Sequence, residues 1–170
     1  MANVLVIGSG GREHALGWGL VQSPNVEKMY VSPGNAGTAL LNNTKNVSLS
    51  GNEETVTFCQ ENHIDLVVIG PEAPLVGGLS DALRAAGVVV FGASQEAAQL
   101  EGSKSFATKF MQKHDIAIPD SSIVHSAEEA KQAIEACGGA AKSVIKADGL
   151  AGGKGVFLPT TDAEAVVALD

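Results

Sequence analysis

Four short apolar runs recur in the first part of the chain, and within each run the hydrophobic positions are continuous rather than alternating with polar ones. The runs are residues 4–7, 29–31, 66–69 and 88–91. Continuous β-branched runs of this length are typical of strands that a parallel sheet buries on both faces. The pattern therefore predicts four strands of one open parallel sheet.

A helical pattern lies between the last two of these runs. Leu79, Ala82, Leu83 and Ala86 stand at positions i, i+3, i+4 and i+7, and Gly87 follows them. This spacing places one apolar stripe on a helix, and a glycine is a common residue just beyond a helix end. Strands and helices thus alternate, which predicts an α/β fold with an open parallel sheet and flanking helices.

The alternation of strands and helices stops after Gly92, where two helical patterns follow one another at residues 95–101 and 104–113. Pro119 then prevents a helix from continuing. A new unit then begins, with predicted strands at 122–124, 143–146 and 156–158. Two capping boxes, Ser126-x-x-Glu129 and Thr161-x-x-Glu164, predict helix starts. We therefore expect a first domain at residues 1–100, a helical linker at 101–120 and the start of a second domain at 121–170.

Composition excludes several classes of function. The formal net charge is -8 and no basic block offsets it, which argues against nucleic acid or an anionic membrane as a partner. No apolar run approaches the ~20 residues that span a bilayer, and no secretory leader is recognisable, so we expect a cytoplasmic protein. Cys59 and Cys137 have no neighbours at metal-ligand spacing, and both are expected to be buried in a reducing compartment.

The first glycine-rich turn, residues 8–14, joins the first strand to the first helix. A dinucleotide fingerprint would need a third glycine at position 13 and an acid at the end of the second strand, where this chain has Glu13 and Ser32. The helix N-terminus still favours an anion, so we expect a phosphate there, faced by an otherwise unpaired Arg12. The alternative is a tight turn without a ligand. His14 is interpreted as a hydrogen-bonded structural residue.

Two further loops leave predicted strands at their carboxyl ends, the edge where open parallel sheets bind ligands. Residues 32–38 form the first loop. Residues 70–75 form the second, in which Glu72 could orient the hydroxyls or the amine of a sugar. A solvated loop carboxylate is the alternative for Glu72. The prolines at 71 and 74 stiffen the second loop and favour a preformed site.

A second glycine-rich loop follows Lys146, which interrupts an apolar strand. Residues 146–155 contain four glycines and end in Gly153-Lys154-Gly155, without the hydroxyl residue and the helix of a Walker A motif. Glycines let the backbone approach phosphate oxygens closely. We therefore predict a flap between two antiparallel strands that covers a nucleotide. Lys104 could converge on the same phosphates, or be an ordinary exposed helix lysine.

Taken together, four segments closely resemble the phosphoribosylamine-glycine ligases of the ATP-grasp superfamily. They are residues 8–16, 33–38, 70–75 and 146–156, and the resemblance runs in order over essentially all 170 residues. It implies a Rossmann-like domain that precedes an ATP-grasp domain, of which this chain holds an incomplete start. It also implies a reaction in which ATP phosphorylates glycine and the amine of 5-phosphoribosylamine attacks the glycyl phosphate, giving glycinamide ribonucleotide, ADP and phosphate.

The resemblance assigns residues to two ligands, although no catalytic residue emerges. For phosphoribosylamine it implies Gly8, Ser9, Gly10, Gly11, Arg12, Asn35, Gly37 and Glu72. For ATP it implies Lys104, Lys146, Gly149, Gly152, Gly153, Lys154 and Gly155. Magnesium would accompany ATP, with its ligands beyond residue 170 and none within the chain. In animals such a ligase is often the first part of a larger multifunctional purine enzyme, so the rest of such a chain is a candidate partner.

The chain departs from the family pattern at a few points. Gly17 and Gly19 fall inside the first helix, and Lys142-Ser143 stands where relatives tend to have a proline and an apolar residue. Because the family chain continues well beyond residue 170, we expect this chain alone to be inactive and to expose apolar surface around residues 123–167. The alternative function is a non-catalytic module that binds a sugar phosphate or a partner protein. Glu13 and Ser32 disfavour a nicotinamide-dependent oxidoreductase.

Overall fold

The computed structural model describes residues 1–169 and divides into two compact units, Met1–Ala98 and Gln99–Asp170. The first unit is built on a five-stranded parallel sheet with the order β3-β2-β1-β4-β5. Its strands are β1 (Ala2–Gly8), β2 (Val26–Pro33), β3 (Thr44–Asn46), β4 (Leu66–Ile69) and β5 (Val89–Phe91). The four strands predicted from apolar runs are confirmed. Strand β3 was not predicted, because its Thr-Lys-Asn sequence carries no apolar run.

Successive residues of each strand face opposite sides of the sheet, which gives two cores. On one face Leu5 and Ile7 of β1 pack with Leu83. On the other face Val4 and Val6 pack with Met29 of β2 and with partly buried residues that include Leu20 and Val21. Burial on both faces is the reason why the strand sequences lack alternation.

Helices of the first unit connect the strands. They are α1 (Gly11–Leu20), α2 (Gly51–Glu61), α3 (Glu72–Val76) and α4 (Leu79–Ala85), with a 3-10 turn at Thr38–Leu40. Gly17 lets helix α1 pack closely on its neighbours. A methyl group at this position would lie 3.0 Å from Met29 Cε and 3.2 Å from Leu41 Cδ1. Gly19 meets no such neighbour within 4 Å. Helix α5 (Gln95–Gly102) contains the division between the units.

The second unit contains α6 (Lys104–Lys113), α7 (Ala127–Ala136), α8 (Asp162–Leu169) and a 3-10 turn at Ala140–Lys142. Strands β6 (Ile145–Lys146) and β7 (Val156–Phe157) pair antiparallel, which confirms the predicted hairpin around the glycine loop. The predicted strand at residues 122–124 is wrong, because the only sheet described in this unit is the β6–β7 pair and the segment has no strand to join.

Both predicted capping boxes begin helices, with a shift of one residue in the reciprocal bond. Ser126 Oγ accepts a hydrogen bond from Glu129 N at 3.1 Å, while the Glu129 carboxylate accepts from His125 N at 2.8 Å. Helix α8 repeats this arrangement, since Glu164 accepts from Thr160 N at 2.7 Å. These bonds satisfy backbone donors that a helix start leaves open.

Several apolar side chains of the second unit are exposed, as expected. They include Val144, Leu150, Val156, Phe157, Leu158 and Val167. Cys59 is buried, but the expectation for Cys137 is wrong, because this residue follows the end of α7 and is exposed. Within residues 1–169 no helix combines the length and the apolar character needed to cross a membrane.

Candidate functional site

A cleft of about 520 Å³ opens beside the carboxyl ends of β1 and β2. One wall comes from the first glycine turn, with Gly8, Ser9 and Gly10. The opposite wall comes from the start of α2 and from the loop after β4. The lining also contains Ile7, Glu13, Ser32, Pro33, Leu49, Gly51, Asn52, Thr55, Pro71, Pro74 and Leu79. The carboxyl edge of the sheet, where the sequence predicts ligand binding, therefore forms a concave surface.

Glu13 is a buried carboxylate at the start of α1, with 3% of its surface exposed. It accepts hydrogen bonds from Gly10 N at 2.7 Å and from Arg12 Nε at 2.8 Å. Its side chain also fills the space beside Gly8 and Gly70, where a methyl group would overlap it. Glu13 thus takes the position of the third fingerprint glycine and uses one of the backbone donors that a bound anion would need.

The protonation of Glu13 follows from opposing effects. Burial acts to raise its pKa, but the hydrogen bonds from Arg12 and from the Gly10 N–H, together with the Arg12 charge, lower the pKa below its ordinary value. The carboxylate is therefore ionised at neutral pH. Sequence reasoning assigned Glu13 no role in the site, although a glutamate three residues after a helix N-cap is a recognisable capping signal.

Arg12 is paired, so its interpretation as an unpaired cation is wrong. Its Nε atom contacts Glu13, and its terminal nitrogen lies 3.8 Å from Glu72 Oε2. The Arg12 side chain remains 60% exposed and Glu72 is also exposed, so the Arg12–Glu72 pair contributes little to stability. The structure brings Arg12 and Glu72 together from the first turns of α1 and α3, and both lie outside the lining of the cleft.

Asn35 holds the loop at residues 32–38 against the first glycine turn. Its amide nitrogen donates to the carbonyls of Ser9 at 2.8 Å and Gly10 at 3.3 Å, and its side-chain oxygen accepts from Thr38 N at 3.0 Å. Gly37, in the same loop, leaves room for the His14 ring, which a methyl group would crowd. Asn35 and Gly37 therefore shape the glycine turn, whereas Gly11, Asn35 and Gly37 do not line the cleft itself.

Sequence reasoning assigned no ligand role to Ser32 of β2 and missed the polar residues on the α2 side of the cleft. Ser32 is buried and accepts from Leu49 N at 3.2 Å. Asn52 donates from Nδ2 to Gly77 O at 2.9 Å, and Thr55 donates to Gly51 O at 2.7 Å. The available signal was the Ser-Gly-Asn sequence at positions 50–52, a polar helix start on the same sheet edge.

In the second unit, the structure ties Lys104 to the glycine loop. Its Nζ atom donates to Gly149 O at 2.8 Å. The loop bends through left-handed backbone conformations at Gly149, Gly152 and Gly153, which glycine adopts at least cost. At Gly155 a methyl group would lie 2.6 Å from Ala151 Cβ. These glycines are therefore required by the path of the loop.

The two remaining lysines are placed differently. Lys146 lies in β6 opposite Val156, and Lys154 donates its backbone N–H to Ala151 O at 3.0 Å. Both side chains are exposed. Within residues 1–169 the structure thus links Lys104 to the loop, whereas the ammonium groups of Lys146 and Lys154 make no described contact with it.

Asp148 is the residue of this unit whose contacts sequence reasoning did not anticipate. Its carboxylate accepts from Ser105 Oγ at 2.7 Å and from Gly149 N at 2.9 Å. Hydrogen bonds from the Ser105 side chain foremost, and then from the Ser105 and Gly149 N–H groups and Ser103, outweigh partial burial and hold the pKa of Asp148 far below its ordinary value. An aspartate before a glycine, together with serines flanking a helix start, was the available signal.

No group of three or more His, Cys, Asp or Glu side chains in residues 1–169 is arranged to hold a metal ion. The location of magnesium ligands beyond residue 170 therefore stays a prediction.

Comparison with known proteins gives matches over the whole chain. Residues 2–101 match the family described as "Phosphoribosylglycinamide synthetase, N domain", and residues 102–170 match its "ATP-grasp (A) domain". The phosphoribosylamine-glycine ligase of Pasteurella multocida is 50% identical over 169 residues, which are 98% of this chain and 39% of that protein. The ligase of Agrobacterium fabrum is 50% identical over 167 residues, with the same coverage. The chain thus spans about two fifths of the length of these relatives.

Solved structures of other enzymes share the fold at low sequence identity. The biotin carboxylase domain of Hydrogenobacter thermophilus 2-oxoglutarate carboxylase, solved with MgADP, has a TM-score of 0.75 and 17% identity over 98% of this chain and 39% of its own. N5-carboxyaminoimidazole ribonucleotide synthetase from Thermotoga maritima has a TM-score of 0.68 and 16% identity, over 96% of this chain and 42% of its own. These likenesses show the fold.

Proposed function

Because this chain belongs to the phosphoribosylglycinamide synthetase family, we propose that it supplies the sugar-phosphate domain and part of the nucleotide site of an ATP-dependent ligase. The ligase joins glycine to 5-phosphoribosylamine and releases glycinamide ribonucleotide, ADP and phosphate. This reaction belongs to purine biosynthesis, and we propose a cytoplasmic location with it. The rest of a multifunctional purine enzyme is a proposed partner.

The reaction needs ATP because a carboxylate does not condense with an amine at neutral pH. Transfer of the γ-phosphoryl group to a glycine carboxylate oxygen turns that oxygen into part of a leaving group. The amine nitrogen of 5-phosphoribosylamine then attacks the glycyl carbon, the C–O bond to phosphate breaks, and the nitrogen loses a proton. The protein must hold the amine and the acyl phosphate together and exclude water.

The single observation that carries the proposal for the first unit is the cleft beside Gly8, Ser9 and Gly10. Its volume of about 520 Å³ suits a phosphorylated pentose. The buried carboxylate of Glu13 disfavours a dinucleotide, since Glu13 accepts the Gly10 N–H that the pyrophosphate of a dinucleotide would need. Five further residues complete the proposed site by bordering or bracing this turn, namely Gly11, Arg12, Asn35, Gly37 and Glu72.

For the second unit we propose that the glycine loop covers the phosphates of ATP. Lys104, Lys146 and Lys154 would balance phosphate charge, and the backbone of Gly149, Gly152, Gly153 and Gly155 would let the loop approach closely. The bond from Lys104 to Gly149 supports this assignment, because it places an ammonium group at the loop. Magnesium, held by residues outside those described, would neutralise charge on the phosphates during phosphoryl transfer.

A chimaera tests the activity. Residues 1–170 would replace the aligned segment of the Pasteurella multocida ligase, and ADP formation would be followed with glycine and 5-phosphoribosylamine present or omitted. We expect ADP formation that requires both substrates. A chimaera that unfolds cooperatively yet forms no ADP would contradict the proposal. ADP formation independent of 5-phosphoribosylamine would contradict its substrate assignment. Sugar-phosphate binding without turnover would favour the alternative of a non-catalytic module.

A further inference from the structure

The start of α6 and the glycine loop are joined by a group of polar contacts centred on Asp148. Its carboxylate accepts from Ser105 Oγ at 2.7 Å, from Ser105 N at 3.2 Å and from Ser103 Oγ at 3.2 Å. The Gly149 N–H donates to the same carboxylate at 2.9 Å. We name the group formed by Ser103, Ser105, Asp148 and Gly149 the Asp148 clasp.

We propose that Asp148 is a positioning residue that fixes the pivot of the nucleotide-covering loop on helix α6. The proposal rests on the nucleotide site of the proposed function. To that site it adds Asp148, which is not proposed to touch a phosphate and which acts through Lys104 and Gly149.

The contacts explain why this position holds an aspartate. A carboxylate only accepts hydrogen bonds, and all the groups that face it are donors. Ser103 caps the helix by accepting from Phe106 N at 3.1 Å, which leaves its hydroxyl proton for Asp148. A negative charge at the N-terminus of a ten-residue helix is also favoured by the helix dipole. Bonds of this kind to a charged acceptor are roughly twice as strong as neutral ones.

Gly149 is held at both of its backbone polar groups. Its N–H donates to Asp148, and its carbonyl accepts from Lys104 Nζ at 2.8 Å. Lys104 stands between the two serines of the clasp, so the clasp and the ammonium group reach the loop from the same turn of α6. Beyond Gly149 the described bonds of the loop are internal, such as Lys154 N to Ala151 O at 3.0 Å. One end of the loop is therefore anchored to the helix.

A functional consequence follows from this anchoring. Loss of the clasp would let the loop and the Lys104 ammonium move independently, so an anion under the loop would meet fewer donors at once. We expect weaker ATP binding although neither Lys104 nor the loop glycines are changed. A role limited to the stability of α6 would leave the affinity of the folded protein for ATP unaltered.

The experiment compares Asp148→Ala with Asp162→Asn, which removes an acid from the first turn of α8 in the same unit. Amide hydrogen exchange of Ala147, Gly149 and Lys154 is measured without ligand, and Kd for ATP is measured by titration. We expect Asp148→Ala to speed exchange and to raise Kd roughly tenfold, the effect of losing about 1.4 kcal/mol, while Asp162→Asn changes neither. Thermal melts identify variants that do not fold, and for an unfolded Asp148→Ala the variant Asp148→Asn takes its place.

Coupling provides a second readout. In the background of Ser105→Ala, Asp148→Ala should raise Kd by a smaller factor than in the unaltered chain, because Ser105→Ala has already removed the bond from Ser105 Oγ to Asp148. Equal increases of Kd in the two backgrounds, or unchanged amide hydrogen exchange in Asp148→Ala, would overturn the proposed role of the Asp148 clasp. Absence of ATP binding by the unaltered chain would instead contradict the proposed nucleotide site, and the exchange rates would still decide the clasp.

Discussion

Asn35 donates its side-chain amide to the carbonyl of Ser9 across 2.8 Å, and this bond ties together two loops that leave neighbouring strands. The same side chain accepts from Thr38 N at 3.0 Å. The first glycine turn is therefore held from outside by a residue that does not line the cleft. The shape of this turn depends on the loop at residues 32–38 as much as on its own glycines.

Replacement of Asn35 by Ala should loosen the glycine turn. We expect the free energy of unfolding to fall by about 1–3 kcal/mol, because partly buried partners lose their hydrogen bonds, and we expect the affinity for ribose 5-phosphate to fall with it. Urea denaturation and titration measure the two effects. The control is Asn42→Ala, at an exposed position. Equal stability of the two variants would contradict the bracing role.

Glu13 should make stability depend on pH. Its folded-state pKa lies below the ordinary value of 4.5, so its contribution is present above that value and is lost as the pH falls and the folded carboxylate becomes protonated. We expect Glu13→Gln to be less stable than the unaltered chain at pH 7, with a smaller difference at pH 3. Urea denaturation at both pH values measures this. A difference that does not depend on pH would show that the charge of Glu13 is unimportant.

The two helical glycines of α1 should respond differently to alanine. At Gly19 the added methyl group meets no neighbour within 4 Å, so Gly19→Ala should stabilise the protein by about 0.5–1 kcal/mol through helix propensity. At Gly17 the methyl group would lie 3.0 Å from Met29 Cε, and crowding offsets the gain. Thermal melts compare the pair. A larger gain at Gly17 than at Gly19 would contradict the packing described for α1.

The two cysteines should differ in reactivity. Burial raises the pKa of the Cys59 thiol to about 11, whereas Cys137 is exposed. Because the thiolate is the reactive form, iodoacetamide at pH 8 should label Cys137 in the folded protein and label Cys59 only in denaturant. Peptide mass spectrometry locates the label. Rapid labelling of Cys59 without denaturant would show that the α2 side of the core opens.

The sequence predicted the strands that are buried on both faces, because their residues form continuous apolar runs. Residues 4–7 and 66–69 are continuous apolar runs because helices cover both faces. Strand β3 escaped prediction because Thr44–Asn46 is a polar edge strand that forms through pairing with β2. Residues 122–124 have strand-like composition without a partner strand, and pairing cannot be inferred from composition alone.

The candidate site was predictable in position but not in the roles of its residues. The glycine turn was located because a strand-to-helix junction is visible in the pattern. The contacts of Asn35 and Asp148 depend on which segments meet in space, so spacing along the chain did not reveal them. The bond from Gly10 N to Glu13 is local, and its capping signal was present in the sequence. Arg12 shows the same limit, since its partner Glu72 is distant in sequence.

The most direct test of the central claim, that the first unit holds a sugar phosphate, is a titration of the ¹⁵N-labelled chain followed by NMR. We predict that ribose 5-phosphate shifts the amide signals of Gly8, Ser9 and Asn52, and that ribose without phosphate or NADH shifts them far less. Unchanged signals at millimolar ribose 5-phosphate, or equal shifts with NADH, would contradict the claim.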